Sequence, residues 1–172
     1  SCNKYDATSK KHEDNIGSLK SELETYMFYY HRYESHHNAM KIANEQRLNA
    51  EKKSTEIMEK FGVRLQDNKF LLEATEQLLD NRRCLKYSYV YGFYLTMNSD
   101  SPQRSLFEYL QEDLEKHTNT LSELYETDLK SLEGSYSAFM AWREHVTNYT
   151  RVTAGFLQKF IKGVVMGLDD VH

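Results

Sequence analysis

One proline and seven glycines in 172 residues leave too few turn-makers for a many-stranded sheet protein. Long uninterrupted helices need almost none of either, so the shortage points to a mostly helical chain. No apolar run approaches the roughly 20 residues of a membrane span. With a mean hydropathy of -0.75, an integral membrane protein is excluded. Two cysteines, Cys2 and Cys84, are too few for a disulfide scaffold and suit a reducing, intracellular setting. With 22 basic against 26 acidic side chains there is no general attraction for nucleic acid, whose binding depends on neutralising phosphates. Glycine-rich phosphate loops, nucleophile elbows, His-Glu-x-x-His and paired CxxC motifs are all missing, so no catalysis is expected of this stretch. What is present is apolar surface to bury: 40% of residues are hydrophobic and 13% aromatic, enough for one folded domain.

The apolar residues recur at helical spacing. From about Ser9, Ile16, Leu19, Leu23, Tyr26, Tyr30, Tyr33 and Met40 keep one face inward, which predicts a first helix. Its pattern fades between Asn44 and Thr55, revives at Ile57, Met58 and Phe61, and stops at Gly62. Asp67 is the expected N-cap of a second helix that runs to about Leu95. Ser99 to Pro102 breaks it, and Pro102 suits the first position of a third helix, which carries Leu106, Leu110, Leu114, Leu121 and Leu124 as far as Asp128. Gly134 marks a bend before a fourth helix from Tyr136. Short loops favour antiparallel neighbours. The predicted fold is therefore all-α, an elongated antiparallel bundle of about four helices with a long first helix.

Few residues invite a chemical reading. His31, His36 and His37 do not share the i, i+4 spacing of helical chelation, and His36 with His37 reads better as a boundary pair, one ring packed and one wet. Cys84 has Arg82, Arg83 and Lys86 nearby, which could activate a thiol, but it lies in the apolar pattern and reads as a small core hydrophobe. Glu108, Glu112 and Glu115 stand one turn apart on the third helix, a candidate docking face for a basic partner that would look the same if merely solvated. Arg143, Arg151, Lys159 and Lys162 give the fourth helix a basic side that could lie against it.

A family resemblance starts at Cys2, which belongs to no helical pattern. Cys2-Asn3-Lys4-Tyr5-Asp6 resembles the close of the catalytic zinc domain in Ariadne-type RING-between-RING ubiquitin ligases. The stretch Tyr26-Met27-Phe28-Tyr29-Tyr30-His31-Arg32-Tyr33, followed by His36, is similar to the aromatic segment in the first helix of that family's C-terminal helical domain. Arg82, Leu85, Tyr87, Tyr89, Phe93, Tyr94 and Leu95 resemble its Cys-Arg-x-x-Leu-x-Tyr-x-Tyr-x-x-x-Phe-Tyr-Leu motif, with Asn81 in place of the cysteine. Phe107-Glu108-Tyr109 and Asp113-Leu114-Glu115 are similar to its third helix, and only the fourth helix is generic.

The resemblance implies that residues 1–6 close the catalytic zinc domain and residues 8–172 form the Ariadne helical domain. Cys2 would be the last zinc ligand of the intact parent, an incomplete site here, so zinc is a cofactor of the parent and this piece has none. In the family, a ubiquitin-charged conjugating enzyme is recruited, and a cysteine of the catalytic zinc domain carries ubiquitin as a thioester. The helical domain covers that cysteine until a neddylated cullin-RING ligase relieves the block. The inhibitory contacts align with Ile42, Ala43 and Asn119, none of which carries the family side chain, so the contact would be either rebuilt from other residues or weaker. The implied partners are the catalytic zinc domain of the same chain, the conjugating enzyme and the cullin complex, with no nucleic acid and no membrane. The implied location is the cytoplasm, with the nucleus as an alternative. A free-standing helical scaffold that binds partners through its first helix is the competing reading.

Overall fold

The computed structural model describes residues 15–98 and 102–169, and among these five α-helices and two 3-10 turns follow one another. The helices are α1 (Asn15–Leu48), α2 (Ala50–Phe61), α3 (Lys69–Asn98), α4 (Pro102–Tyr125) and α5 (Tyr136–Asp169). The 3-10 turns span Leu65–Asn68 and Leu129–Leu132. No strand occurs among the described residues, in keeping with the all-α expectation. The expected start of the first helix at Ser9, the residues at 1–6 and Cys2 lie outside the described residues.

The predicted first helix is two. It bends at Asn49, whose φ of -92° and ψ of 2° leave the helical region. The backbone ladder survives the bend, because Asn49 N–H donates to Glu45 O and Lys53 N–H donates to Asn49 O, each at 3.0 Å. Asparagine is a poor interior residue because its side chain competes with helical bonding, and the bend falls inside the stretch whose apolar pattern fades. Gly62 ends α2 as expected: at φ 67° it adopts the left-handed conformation that a Cβ would disfavour, and its N–H closes on Met58 O at 2.9 Å.

Asp67 does not cap the next helix. It sits within a 3-10 turn, and its carboxylate accepts from the Arg64 guanidinium at 3.1 and 3.4 Å. That partner holds its carboxyl below the usual aspartate range. The neighbouring Asn68 is buried instead and donates to Ser54 O and Ser54 Oγ, which ties the turn to α2. Pro102 begins α4 as expected, but α4 stops at Tyr125, short of Asp128. Asp128 starts a separate 3-10 turn, with its Oδ1 accepting from Lys130 N–H at 2.9 Å. After Gly134, Ser135 Oγ accepts from Ala138 N–H at 3.1 Å and starts α5.

Two apolar clusters lie along the bundle. One joins Ile57, Phe70, Leu78, Leu121, Phe139 and Trp142, and the other joins Leu85, Phe107, Leu114 and Phe160. A buried polar layer runs along the contact of α3 and α4, its first pair between the two clusters and its second beyond Leu85 and Leu114. Asn81 Nδ2 donates to Thr118 Oγ1 at 3.1 Å, and Gln111 Nε2 donates to Ser88 Oγ at 2.8 Å. Gln77 donates to Asn81 Oδ1, and the Thr118 hydroxyl donates on to Leu114 O, so the layer is satisfied internally.

α5 lies against α4, as its basic side allowed, but among the described residues no ion pair joins the two. They pack through Leu110, Phe156 and Phe160, with His117 stacked 3.8 Å from the Phe156 ring and hydrogen-bonded to Tyr149 Oη. Apolar burial decides this interface because exposed ion pairs contribute little.

Candidate functional site

The tyrosine-rich segment of α1 and the matching segment of α3 pair along their lengths and create two features, a polar seam and an aromatic groove. In the seam, His36 is buried and stacks on Tyr89 at 5.5 Å. Its Nδ1 lies 3.4 Å from Arg82 Nη1 and its Nε2 lies 3.4 Å from Glu115 Oε1. Tyr89 Oη donates to the other oxygen of Glu115 at 2.5 Å. Burial raises the Glu115 carboxyl, but the hydrogen bonds from His36 and Tyr89 outweigh it and hold the group below the usual glutamate range. Burial, with the adjacent Glu115 charge, pushes the Tyr89 hydroxyl well above its ordinary value. The seam therefore fixes α1, α3 and α4 to one another through charged groups that are already matched.

The groove lies toward the start of α1 and holds about 240 Å³. Tyr26, Tyr29, Tyr30 and Tyr33 form one side, and Tyr89, Val90, Phe93 and Tyr94 form the other. Tyr29 and Tyr89 are buried at its floor, whereas Tyr26, Tyr30, Val90 and Tyr94 are exposed. The floor is close-packed because Gly92 lets α1, α3 and α4 approach: a Cβ there would stand 3.2 Å from Tyr29 Cε1 and 3.3 Å from Phe107 Cε1.

A second groove, of about 310 Å³, opens at the bend between α1 and α2 and is lined by Ile42, Glu45, Gln46, Lys53, Tyr125 and Glu126. Lys53 Nζ donates to Tyr125 O at 2.8 Å and lies 4.2 Å above the Tyr125 ring, so its ammonium covers the carboxyl end of α4. Burial lowers its pKa. Gln46 Nε2 adds a bridge to Glu126 Oε1 at 3.3 Å.

A family model described as the Ariadne domain matches residues 24–168, a stretch that contains the seam and both grooves. The chain belongs to the Ariadne domain family. Over 168 residues it is 62% identical to the probable E3 ubiquitin-protein ligase rbrA of Dictyostelium discoideum, covering 97% of this chain and 32% of that protein. It is 32% identical over 182 residues to the putative E3 ubiquitin-protein ligase ARI6 of Arabidopsis thaliana, covering 99% of this chain and 32% of the relative. It is 36% identical over 131 residues to the E3 ubiquitin-protein ligase ariadne-1 of Drosophila melanogaster, covering 76% and 25% respectively. The chain spans about a third or less of the length of these curated relatives.

Within this Ariadne domain the residues singled out from sequence part company. Ile42 is 53% exposed and lines the groove at the bend. Ala43 is 3% exposed and packs in the apolar cluster with Ala50, Leu78 and Leu121, so it is no surface residue. Asn119 is exposed on α4, seven residues before Glu126. Glu108, Glu112 and Glu115 are half-buried and do not form a solvated outer stripe. Glu108 pairs with Arg104 at 3.0 Å and Glu115 belongs to the seam. The spacing of four and three that aligns these glutamates also turns them toward the neighbouring helices, which the acid count alone does not reveal.

The histidines and Cys84 resolve on packing. His36 is the inward ring, His37 accepts from Lys86 Nζ through Nδ1 at 3.2 Å, and His31 is exposed. Among the described residues no three His, Cys, Asp or Glu side chains are grouped to hold a metal ion. Burial pushes the Cys84 thiol up to about 11, the opposite of an activated nucleophile. Sequence reasoning missed the Lys53 and Gln46 contacts at the bend. Their only signal was the loss of apolar pattern from Asn44 to Thr55, which marks both a solvated stretch and one whose polar side chains reach another helix.

Proposed function

We propose that this Ariadne domain is the regulatory helical part of a RING-between-RING ubiquitin ligase, which packs on the catalytic zinc domain of its own chain and gates ubiquitin transfer through a cysteine thioester. The observation that carries the reading is the Ariadne match over residues 24–168, joined to relatives named as ubiquitin ligases. The chemistry of the fragment agrees with a covering role: its described cysteine is half-buried with a raised pKa, and the Glu115 carboxylate is matched within the bundle by His36 and Tyr89. The exposed Ile42, on a groove beside the bend, supplies an apolar contact where the resemblance places the inhibitory surface.

A domain interface of modest area can be opened by a partner that binds the open form better, and by no more than its differential affinity. In this reading a neddylated cullin-RING ligase is that partner, the ubiquitin-charged conjugating enzyme engages the parent elsewhere, and the parent's catalytic zinc domain, with Cys2 among its ligands, holds the zinc. The setting is the cytoplasm, with the nucleus as a second site. No described helix is long and apolar enough to cross a membrane.

The test adds the purified 172-residue chain in trans to the ubiquitin-loaded catalytic zinc domain of the Dictyostelium relative and follows discharge of the thioester. Discharge slows with added chain on this reading. Ile42→Asp, at an exposed position that leaves the core untouched, restores the rate. Unchanged discharge at saturating chain, with the chain folded by circular dichroism, refutes the gate.

A further inference from the structure

The aromatic groove has an uncompensated charge at one end. Lys86 is 7% exposed, and its Nζ lies 5.2 Å from the Tyr33 ring centroid and 4.8 Å from that of Tyr87. Its hydrogen-bond partner is Nδ1 of His37, and among the described residues no carboxylate lies within ion-pairing distance of it. Lys41 adds a second positive charge beside His37 and Glu34 a negative one, so this end of the groove stays cationic. A mostly buried ammonium without a counter-ion is costly unless an anion completes it.

The rings set the rest of the occupant. Tyr26 and Tyr30 stack 5.9 Å apart, and Tyr33 follows on the same face of α1. From Tyr26 to Tyr33 the helix rises about 10.5 Å, close to the roughly 9.3 Å spanned by three residues of polyproline II helix. Rings laid in series along a furrow are what proline-rich segments dock against, because their backbone is extended before binding. A volume of 240 Å³ is below the roughly 300 Å³ at which drug-sized pockets begin, so it admits a few side chains of a strand-like peptide and not the face of a helix.

We propose that the groove between α1 and α3 binds an extended, proline-containing acidic peptide, with two prolines three apart against Tyr26 and Tyr33 and a following carboxylate against Lys86. This inference is independent of the gate at Ile42, which lies on the other groove. The exposed Tyr26 and Tyr30 border the furrow, where their hydroxyls can donate to the peptide's carbonyls, which carry no internal hydrogen bonds in this conformation.

The experiment titrates the 172-residue chain into a fluorescein-labelled peptide, Pro-Pro-Leu-Pro-Pro-Glu-Glu, and reads anisotropy. Its lysine-ended and alanine-for-proline counterparts, and a preformed amphipathic helical peptide, are run in parallel. Binding of the acidic proline peptide about tenfold tighter than either counterpart supports the proposal. Tyr30→Ala, at an exposed ring, weakens it about tenfold with an unchanged melting temperature, and Lys86→Met removes the preference for glutamate over lysine. Should Lys86→Met unfold the chain, Val90→Glu makes the equivalent test by placing a negative charge in the furrow, and it weakens the acidic peptide most. No binding up to about 1 mM, equal binding of the alanine counterpart, tighter binding of the helical peptide, or indifference to Tyr30→Ala each overturns it.

Discussion

Nδ1 of His36 faces the Arg82 guanidinium at 3.4 Å, and since a guanidinium only donates, this nitrogen must accept. An Nε2 proton is then directed at Glu115, so both ring nitrogens are committed to partners on other helices.

Acid should therefore loosen the three-helix seam. The Glu115 carboxyl is held below its unfolded value, so its contribution to stability is complete above the ordinary glutamate range and is lost as pH falls through its folded pKa. Melting temperatures measured from pH 7 down to pH 3 should fall, and Glu115→Gln should flatten that fall. At pH 7 the same substitution should cost about 1–2 kcal/mol, because the amide nitrogen faces a donor where an oxygen accepted. A Glu115→Gln profile as steep as that of the parent chain would place the acid sensitivity elsewhere.

The alkaline limit rests on different groups. Burial pushes the Cys84 thiol from 9.0 up to about 11 and the Tyr125 hydroxyl from 10.0 up to about 12. Both are raised, so the stability they contribute is complete below their unfolded values and declines as pH rises toward the folded ones. Denaturant midpoints should drop between pH 9 and pH 12. Cys84→Ala should remove the earlier part of that drop and Tyr125→Phe the later part.

Two glycines make a matched pair. Gly92→Ala gains about 1 kcal/mol of helix propensity but drives a methyl group between the rings of Tyr29 and Phe107, which approach from opposite helices. Gly155→Ala makes the same gain in α5 with nothing within 4 Å. Urea denaturation should show Gly155→Ala stabilised by about 0.5–1 kcal/mol and Gly92→Ala destabilised by about 1–3 kcal/mol.

Lys53→Met should keep the stem over Tyr125 and lose the ammonium that covers the end of α4. A cost of about 1–2 kcal/mol is expected, with the Trp142 fluorescence altered, because Lys53 Nζ also lies 5.5 Å from that ring.

Periodicity made the helices and most of the core legible: Leu78, Leu85, Leu114 and Leu121 lie buried where three and four residue steps place them. Helix ends were legible where one residue has a single physical option, as with Gly62 at positive φ and Pro102 at a first turn. They were illegible at Asp67, whose carboxylate had two possible partners and took the side chain of Arg64 over the free amides of α3. The seam was legible only as separate residues. His36, Arg82, Tyr89 and Glu115 all stood in motifs, but their meeting depends on the axial offset of α1, α3 and α4, and spacing within one helix carries no information about that offset. Ala43 shows the same gap: it stands seven residues after buried His36 on the inward face of α1, but a lone small apolar residue at the edge of a fading pattern does not reveal that α3 covers that face so far along.

The buried Asn81–Thr118 bridge has a consequence for how the bundle closes. Thr118 is flanked on its own face by Leu114 and Leu121, four residues before it and three after. If α4 slid one turn along α3 in either direction, a leucine would meet the Asn81 amide and strand it without water or a partner. One-turn slips, which a uniformly greasy interface would tolerate, are thereby penalised, and the two long helices zip together in one alignment.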